Sequence, residues 1–342
     1  MEVHVQEQVP LAPYTTLQVG GPARWLVSVR SAEELAAARQ FAQVRGAGPP
    51  LFLGGGSNVL LSDAGYDGLV LKLDFTGYHY TPVAESEVIL TAGAGEEFDA
   101  VVADTVARGY WGLENLSHIP GSVGATPIQN VGAYGVEVAD RITTVAAYNW
   151  ETGETREFTP AACAFGYRDS FFKRAAGRSW IVTAVSFRLS TQPQPVLSYG
   201  ALQELASSVP GHQLTPATVR ERVIAIRAEK FPDWHAVGTA GSFFKNPILP
   251  AAQAAALIVR YPELPHFPQA DGRVKVSLGW ILDQLCGLRG YQVGPVGLYA
   301  KQALVLVNHG GASARDIDAF ATEIAERVLA RTGIVITREV QT

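Results

Sequence analysis

The chain has 342 residues, a formal net charge of −5, 47% apolar residues and only 17% charged residues. A chain of this length and apolar content can bury more than one core, which excludes an intrinsically disordered protein. The weak acidic excess argues against a dedicated nucleic-acid-binding protein, because neutralising phosphates requires a basic surface.

No segment of the sequence is expected to cross a membrane or to direct export. The two longest uncharged runs, 46–62 and 115–136, are interrupted by prolines and glycines, so neither is expected to cross a membrane. The N-terminus lacks the basic start and apolar stretch of a signal peptide. Cys163 and Cys286 lie far apart and no His/Cys cluster occurs, so we predict free thiols in the cytoplasm and no metal site.

The first half of the chain alternates strand and helix signals. Ser31 begins a predicted helix, with Glu34 completing a capping box. A second helix is predicted over Phe98–Arg108, ending at Gly109. The predicted strands are 25–30, 51–53, 68–73, 88–91, a hairpin over 142–158, and 180–189.

The composition changes over 190–214, where prolines, serines and glycines predict a linker or long surface loop. Thr215 and Pro216 then begin a helix that extends to Lys230. Further predicted elements are the helices 251–259, 278–285 and 313–332, and the strands 303–308 and 334–336. The pattern predicts an α+β protein with a domain boundary near 190–215.

A first glycine-rich loop, Gly54-Gly55-Gly56-Ser57-Asn58, directly follows the predicted strand 51–53. Glycines permit positive φ, so successive N–H groups can converge on an anion. The loop lacks the third glycine of a dinucleotide-binding fingerprint, because Val59 stands in its place. A tight turn between two strands explains the loop equally well.

A second glycine-rich loop covers 120–135 and contains four glycines, several amide or hydroxyl groups and no charge. A connector this long, without charge or apolar periodicity, is unusual in a compact domain unless it binds a ligand. Backbone donors in such a loop would suit a diphosphate, and the alternative is a packed connector.

Three polar residues remain open between a structural and a chemical role. Arg168 lies among phenylalanines, and a partly buried guanidinium needs an anion, either from Asp169 or from a ligand. Ser242 lacks a G-x-S-x-G elbow, so a turn serine is favoured over a hydrolase nucleophile. Glu339, near the C-terminus, reads by composition as a solvated edge residue.

Seven segments together are far more specific than any one of them: GGGSNVLLSD, ENLSHIPGSVGATPIQNVGAYG, GYRDSFFK, PVLSYG, AGSFFKNP, ALVLVN and a terminal REV. Their order and spacing closely resemble the UDP-N-acetylenolpyruvoylglucosamine reductase family over nearly the whole chain. The PVLSYG segment resembles the family's longer subtype, which keeps a substrate-covering tyrosine loop.

The resemblance implies an α+β architecture: a two-part FAD-binding fold of the vanillyl-alcohol-oxidase type and a smaller α+β substrate domain. It implies an FAD-binding region over 1–192, with subdomains of about 1–73 and 74–192, a linker or substrate loop over 193–214, a substrate domain over 215–332, and a C-terminal strand over 333–342 that returns to the active site.

The resemblance also implies roles for particular residues. The catalytic residues would be Arg168, Ser242 and Glu339. Non-covalent FAD would be bound by Gly54, Gly55, Gly56, Ser57, Asn58, Pro120, Gly121, Ser122, Gly124, Ala125, Asn130, Gly132, Ala133, Tyr134 and Gly135. The substrate would contact Tyr167, Tyr199, Lys230, Asn246 and Gln302.

The implied reaction is NADPH-dependent reduction of UDP-N-acetylglucosamine enolpyruvate to UDP-N-acetylmuramate, in bacterial peptidoglycan synthesis and hence in cell-wall biogenesis, cell shape, the cell cycle and cell division. Hydride addition to the methylene carbon would create charge on the adjacent carbon, which Arg168 and a protonated Glu339 would stabilise. Ser242 would donate the final proton. We expect a cytoplasmic monomer that binds NADPH and this substrate, and neither nucleic acid nor membranes.

Two other functions remain possible from the sequence. An alcohol or sugar oxidase of the same flavin fold often carries a His or Cys for covalent attachment, and neither occurs in 54–58. Such an oxidase would also leave the GSFFKNP and REV segments unexplained. A non-catalytic nucleotide-sugar-binding protein would need no bound flavin.

Overall fold

The computed structural model describes residues 3–208 and 210–342. These residues form two compact units, each built from several stretches of chain. The first unit consists of the chain up to Val9, Ala23–Gly55 and Tyr66–Arg227, and the second consists of Pro10–Pro22, Gly56–Gly65 and the chain from Ala228 onward.

A four-stranded sheet begins the first unit. Its strands, in spatial order, are Gln6–Pro10, Pro22–Val29, Tyr66–Leu73 and Leu51–Leu53. Tyr66–Leu73 pairs in parallel with both Pro22–Val29 and Leu51–Leu53, and its centre is a continuous buried run, as parallel strands covered on both faces require. The predicted helix is confirmed as Ala32–Val44, and the Ser31 hydroxyl accepts the Glu34 N–H at 3.2 Å.

A five-stranded sheet follows in the same unit. Its strands, in spatial order, are Thr155–Phe158, Ile142–Asn149, Trp180–Ser190, Glu87–Gly93 and Tyr78–Ala84, and all neighbours are antiparallel. The helix Phe98–Ala107 packs its buried side chains into the core of this sheet. The predicted hairpin over 142–158 is confirmed.

The remaining helices of the first unit include one that the sequence did not predict. The segment 190–214 contains the helix Gly200–Ser208, followed by the helix Pro216–Lys230, whose last residues belong to the second unit. Leu202 packs with Val219, Val223 and Ile226 in one apolar cluster, which explains why part of the predicted linker folds as a helix.

The second unit contains two small sheets and its own helices. One sheet has the strand order Gly238–Ser242, Gln302–Asn308, Val296–Tyr299 and Gln292–Val293, and the other has the order Ile248–Leu249, Val274–Val276 and His266–Pro268. The helices are Ala251–Arg260, Leu278–Trp280 continuing as a π-helix over Ile281–Leu285, and Ala314–Thr332. Ser313 and Asp316 form a capping box, and Gly333 ends the long helix in the left-handed conformation.

The C-terminal segment differs from the predicted strand. Residues from Ile334 onward form neither helix nor continuous strand, and they pair through isolated bridges, Arg338 with Phe244 and Gln341 with Val59. Ile334, Ile336 and Val340 are buried in the core of the second unit. The segment therefore gains its stability from burial more than from a continuous ladder of hydrogen bonds.

Among the described helices, none is both long and apolar enough to span a membrane. All the residues that the structure describes, in helices or elsewhere, contain no cluster of three or more His, Cys, Asp or Glu side chains suited to a metal ion.

Candidate active site

The two glycine-rich loops adjoin each other in the first unit. A Cβ atom on Gly54 would lie 2.5 Å from the Ser122 hydroxyl oxygen, and one on Gly55 would lie 2.8 Å from the Gly121 Cα atom. Larger residues would therefore push the two loops apart. Gly56, Ser57 and Asn58, the rest of the first loop, belong to the second unit.

The backbone donors of the second loop divide into two groups. The N–H groups of Val123 and Gly124 donate to the Glu96 and Ala94 carbonyl oxygens, each at 2.9 Å, and Ala125 donates to a neighbouring carbonyl within a short 3₁₀ turn. Within the described part of the chain, the N–H groups of Gly55, Gly121 and Ser122 donate to no protein acceptor.

These three N–H groups are therefore available to a ligand. They lie on adjoining, uncharged backbone segments, which is the arrangement that binds a phosphate through main-chain donors. These three residues therefore fit the diphosphate of FAD, the cofactor that the sequence resemblance implies. Gly124 and Ala125, both predicted to contact the cofactor, use their N–H groups within the protein.

A partly buried ion pair holds the start of the second loop. Asp99 accepts the His118 N–H at 2.5 Å and two bonds from the Arg220 guanidinium, at 2.6 and 3.0 Å. The adjacent Phe98 N–H donates to the Gly121 carbonyl at 3.0 Å. Burial raises the pKa of Asp99, but the bonds from Arg220 and His118 outweigh it and hold the pKa below its ordinary value.

Arg168 is oriented by backbone carbonyls. Its guanidinium donates to the Asn130 oxygen at 3.3 Å and to the Gly132 oxygen at 2.9 Å, and its own φ of 51° is in the left-handed region. Asp169 contacts Arg174 at 3.4 Å, so the structural pairing of Arg168 with Asp169 that the sequence left open is not the one adopted. These two bonds fix the orientation of the guanidinium within the first unit.

Asn130 shapes the backbone that holds Arg168. It is buried, and its amide hydrogens go to the Glu137 carboxylate at 2.6 Å and the Gly166 carbonyl at 3.1 Å. Its side-chain oxygen accepts the Ala139 N–H at 3.1 Å. A cofactor contact from Asn130, as predicted, would therefore have to come from its backbone.

The end of the second loop is a hairpin whose turn is formed by Tyr134 and Gly135. Both have positive φ, 50° and 86°, between the paired segments Gly132–Ala133 and Val136–Glu137. The Tyr134 ring meets the Tyr199 ring edge-on at 5.3 Å.

A buried arginine supports this hairpin. Arg227 is 8% exposed, donates to the His118 carbonyl at 2.9 Å, and forms a side-chain hydrogen bond with Tyr134. Burial lowers the pKa of Arg227, and Tyr134 and Asp99 oppose that shift.

Four supporting residues were not identified from the sequence: Asp99, Asn115, Arg220 and Arg227. One signal was available for Arg227, which directly follows the buried Ile226 on the predicted helix and lies four residues after Val223. A charged residue on the apolar face of a helix is expected to be buried and to bind a partner inside the protein.

In the second unit, Glu339 lies beside the segment that carries Ser242. Its N–H donates to the Phe243 carbonyl at 2.8 Å, and the Glu339 residue is 9% exposed. Ser242 ends the strand Gly238–Ser242 and is half-buried. Two of the three predicted catalytic residues are thus neighbours in this unit, whereas Arg168 belongs to the first unit.

Asn58 and Gln341 support the Glu339 backbone. The Asn58 and Gln341 amides donate to the Glu339 carbonyl at 3.3 and 2.8 Å. The Gln341 N–H donates to the Asn58 carbonyl at 3.0 Å, and Leu60 donates to the Gln341 carbonyl at 2.8 Å. Asn58, predicted as a cofactor contact, is therefore also an anchor of the C-terminal segment.

Asn246 and Gln302, two predicted substrate contacts, have their side-chain oxygens held. The Asn246 oxygen accepts the Leu278 N–H at 2.9 Å, and the Gln302 oxygen accepts the Leu304 N–H at 3.4 Å. In the chain as described, their NH₂ groups donate to no protein acceptor, which leaves them for a ligand. Lys230 is half-buried at the end of its helix, and Tyr167 directly precedes Arg168.

Comparison with known proteins identifies two matching family models. An FAD-binding domain model matches residues 23–159, and the model of the UDP-N-acetylenolpyruvoylglucosamine reductase C-terminal domain matches residues 233–342. Curated reductases of that name from Chromobacterium violaceum and Cupriavidus pinatubonensis are 43% and 45% identical, covering 99% and 97% of both chains. The solved reductase from Thermus caldophilus is similar at 26% identity and a TM-score of 0.68, covering 100% of this chain and 98% of its own.

Proposed function

The chain belongs to the UDP-N-acetylenolpyruvoylglucosamine reductase family, and on that basis we propose how its residues divide the work of the reaction. It is an NADPH-dependent, FAD-containing oxidoreductase with an α+β flavin-binding fold. It reduces the enolpyruvyl group of UDP-N-acetylglucosamine enolpyruvate to give UDP-N-acetylmuramate for peptidoglycan synthesis. The observation that carries this conclusion is similarity over nearly the full length of this chain and of its curated relatives.

The adjoining glycine-rich loops hold the FAD diphosphate. The N–H groups of Gly55, Gly121 and Ser122 donate to its oxygens, and the absence of nearby carboxylates within these two segments keeps the binding backbone neutral. Bound FAD supplies the hydride chemistry between NADPH and the enolpyruvyl methylene carbon. The predicted contacts along Asn130–Gly135 extend the same loop.

Arg168 and Glu339 stabilise the charge that develops during reduction. Once the methylene carbon has gained hydride, negative charge spreads from the adjacent carbon into the substrate carboxylate. Arg168 is oriented in advance by the Asn130 and Gly132 carbonyls, so it needs no reorganisation as that charge appears. Glu339, protonated, donates a hydrogen bond to the same carboxylate.

Ser242 donates the last proton. Its hydroxyl hydrogen passes to the carbon beside the carboxylate, which completes the saturated lactyl ether, and the serine recovers a proton from solvent. The contact between the Glu339 N–H and the Phe243 carbonyl supports this assignment, because it keeps the acid next to the Ser242 segment.

Five residues are proposed to contact the substrate. In the second unit, the NH₂ groups of Asn246 and Gln302 and the ammonium of Lys230 bind the nucleotide part, including its diphosphate. In the first unit, Tyr167 and Tyr199 contact the substrate. The functional division into an FAD-binding region, a linker or substrate loop, a substrate domain and a returning C-terminal segment is part of this proposal, as are a cytoplasmic location and a monomeric state.

Steady-state turnover under anaerobic conditions tests the proposal. Beyond the one equivalent that reduces the bound flavin, NADPH should be consumed only when UDP-N-acetylglucosamine enolpyruvate is present, and mass spectrometry should show a product that has gained two hydrogen atoms. Bleaching of the flavin by an alcohol or sugar, and not by NADPH, would favour an oxidase instead. A purified protein without flavin colour would favour a binding protein.

A further inference from the structure

Asn115 connects two segments that are distant in sequence. It is completely buried, and its side-chain NH₂ group donates to the Tyr134 carbonyl and to the Val196 carbonyl, each at 2.8 Å. Its side-chain oxygen accepts no hydrogen bond from the described residues. The Asn115 side chain therefore links the Tyr134 and Val196 segments through its NH₂ group alone.

Each acceptor belongs to a segment with a tyrosine that is proposed to contact a ligand, Tyr134 the cofactor and Tyr199 the substrate. Tyr134 itself adopts a left-handed backbone conformation, which its surroundings must hold in place. Val196 lies three residues before Tyr199, in a stretch without helix or strand between Ser190 and Gly200. The Tyr134 and Tyr199 rings meet edge-on at 5.3 Å.

Among the residues that the structure describes, the other hydrogen bonds of the stretch that precedes Tyr199 lie near its two ends. Its beginning is held by Thr191, whose N–H donates to the Ser86 carbonyl at 3.0 Å, and its end is held by Gln203, which donates to the Ser198 carbonyl at 3.1 Å. The bond from Asn115 to Val196 fixes the middle. Val196 and Leu197 also pack against two apolar clusters of the first unit. Loss of the bond from Asn115 therefore removes a directional restraint on this stretch and leaves its apolar contacts.

We propose that Asn115 is a positioning residue for substrate binding, which acts by fixing Tyr199 against Tyr134. The proposal rests on the function proposed above, and in particular on Tyr199 contacting the substrate. It assigns no role to Asn115 in transferring hydride or protons. Loss of the NH₂ group should therefore weaken binding of the enolpyruvyl substrate more than it slows turnover at saturation.

Asn115→Ala removes both donors, and Asn115→Asp replaces them with an oxygen that faces two carbonyl oxygens. For both variants we expect KM for the enolpyruvyl substrate to rise about tenfold, since two hydrogen bonds are lost, with kcat changed less than about threefold. Asn149→Ala is the matched control, because Asn149 is a buried asparagine that holds the Glu151 and Thr152 N–H groups of a distant turn. Its KM should stay within about twofold of the parent.

A double-mutant cycle separates positioning from general stabilisation. Once Tyr199→Ala is present, Asn115→Ala should raise KM by less than about twofold further, because the side chain that it positions is gone. If Asn115→Ala is not recovered as folded, flavin-containing protein, Asn115→Ser replaces it in the same cycle, since serine keeps one donor and adds no bulk.

The outcomes distinguish the two proposals. If the parent protein fails to reduce the enolpyruvyl substrate with NADPH, the proposed function is wrong. If the parent is active but KM is unchanged in the Asn115 variants, or if the effects of Asn115 and Tyr199 simply multiply, the positioning role is wrong.

Discussion

Asp99→Asn removes the negative charge that the His118 N–H and two Arg220 nitrogens share, and we expect it to lower the free energy of unfolding. The Asp99 and Arg220 side chains are each only 16% exposed, so solvent screens the pair weakly. A hydrogen bond to a charged group contributes about 1 kcal/mol more to the free energy of unfolding than a hydrogen bond between neutral groups. Three such bonds give a loss of about 3 kcal/mol, within the range for breaking a buried ion pair.

Urea unfolding near neutral pH, followed by circular dichroism and by flavin release, measures this loss. Asp67→Asn is the matched control, because the Arg24–Asp67 pair is 3.3 Å apart with side chains 51% and 89% exposed. Its effect should stay within about 0.5 kcal/mol. The reasoning is refuted if Asp99→Asn and Asp67→Asn have equal effects, since the ion pair would then not hold the loop.

The difference in unfolding free energy between the parent and Asp99→Asn should depend on pH, because the pKa of Asp99 is lowered in the folded protein. A carboxyl whose pKa is lower in the folded state stabilises the protein fully above its unfolded-state pKa of about 3.9. That contribution is lost as the pH falls through the folded-state value. The stability gap between the parent and Asp99→Asn should therefore shrink below about pH 4, and a gap that widens with acid would contradict the assignment.

Three further predictions concern the cofactor and the catalytic residues. Acid or heat should release all the flavin into the supernatant, and colour that stays in the pellet would indicate a covalent bond. Ser242→Ala should keep flavin reduction by NADPH but slow reoxidation by the enolpyruvyl substrate by about 10²-fold or more in stopped-flow mixing; equal slowing of both half-reactions would make Ser242 structural. Glu339→Gln should retain substrate binding, measured by flavin spectral titration, and lose much of the reoxidation rate, whereas a variant with the parent rate would remove Glu339 from catalysis.

The sequence predicted the regular elements well where apolar periodicity was strong. The helix Ala314–Thr332 has a capping serine, an apolar stripe and a terminal glycine, and all three signals agree. The strand Tyr78–Ala84 was missed because it lies at a sheet edge and its side chains are mostly exposed, so it shows no alternation. The helix Gly200–Ser208 was missed because prolines and serines around it dominate the local composition.

The sequence indicated candidate site residues but not the contacts that each of them makes. Motif order indicated both glycine-rich loops, yet no pattern reveals that Gly121 and Ser122 keep their N–H groups available while Gly124 and Ala125 do not. That difference depends on which carbonyl groups the fold brings close. The Asp99–Arg220 pair spans 121 residues, so it has no local signal.

Anaerobic absorbance spectroscopy of the purified protein tests the central claim most directly. NADPH should bleach the bound flavin, and subsequent addition of UDP-N-acetylglucosamine enolpyruvate should restore its colour with formation of UDP-N-acetylmuramate in an amount equal to the reduced flavin. A flavin that NADPH does not bleach, or that stays bleached after the enolpyruvyl substrate is added, would contradict the account.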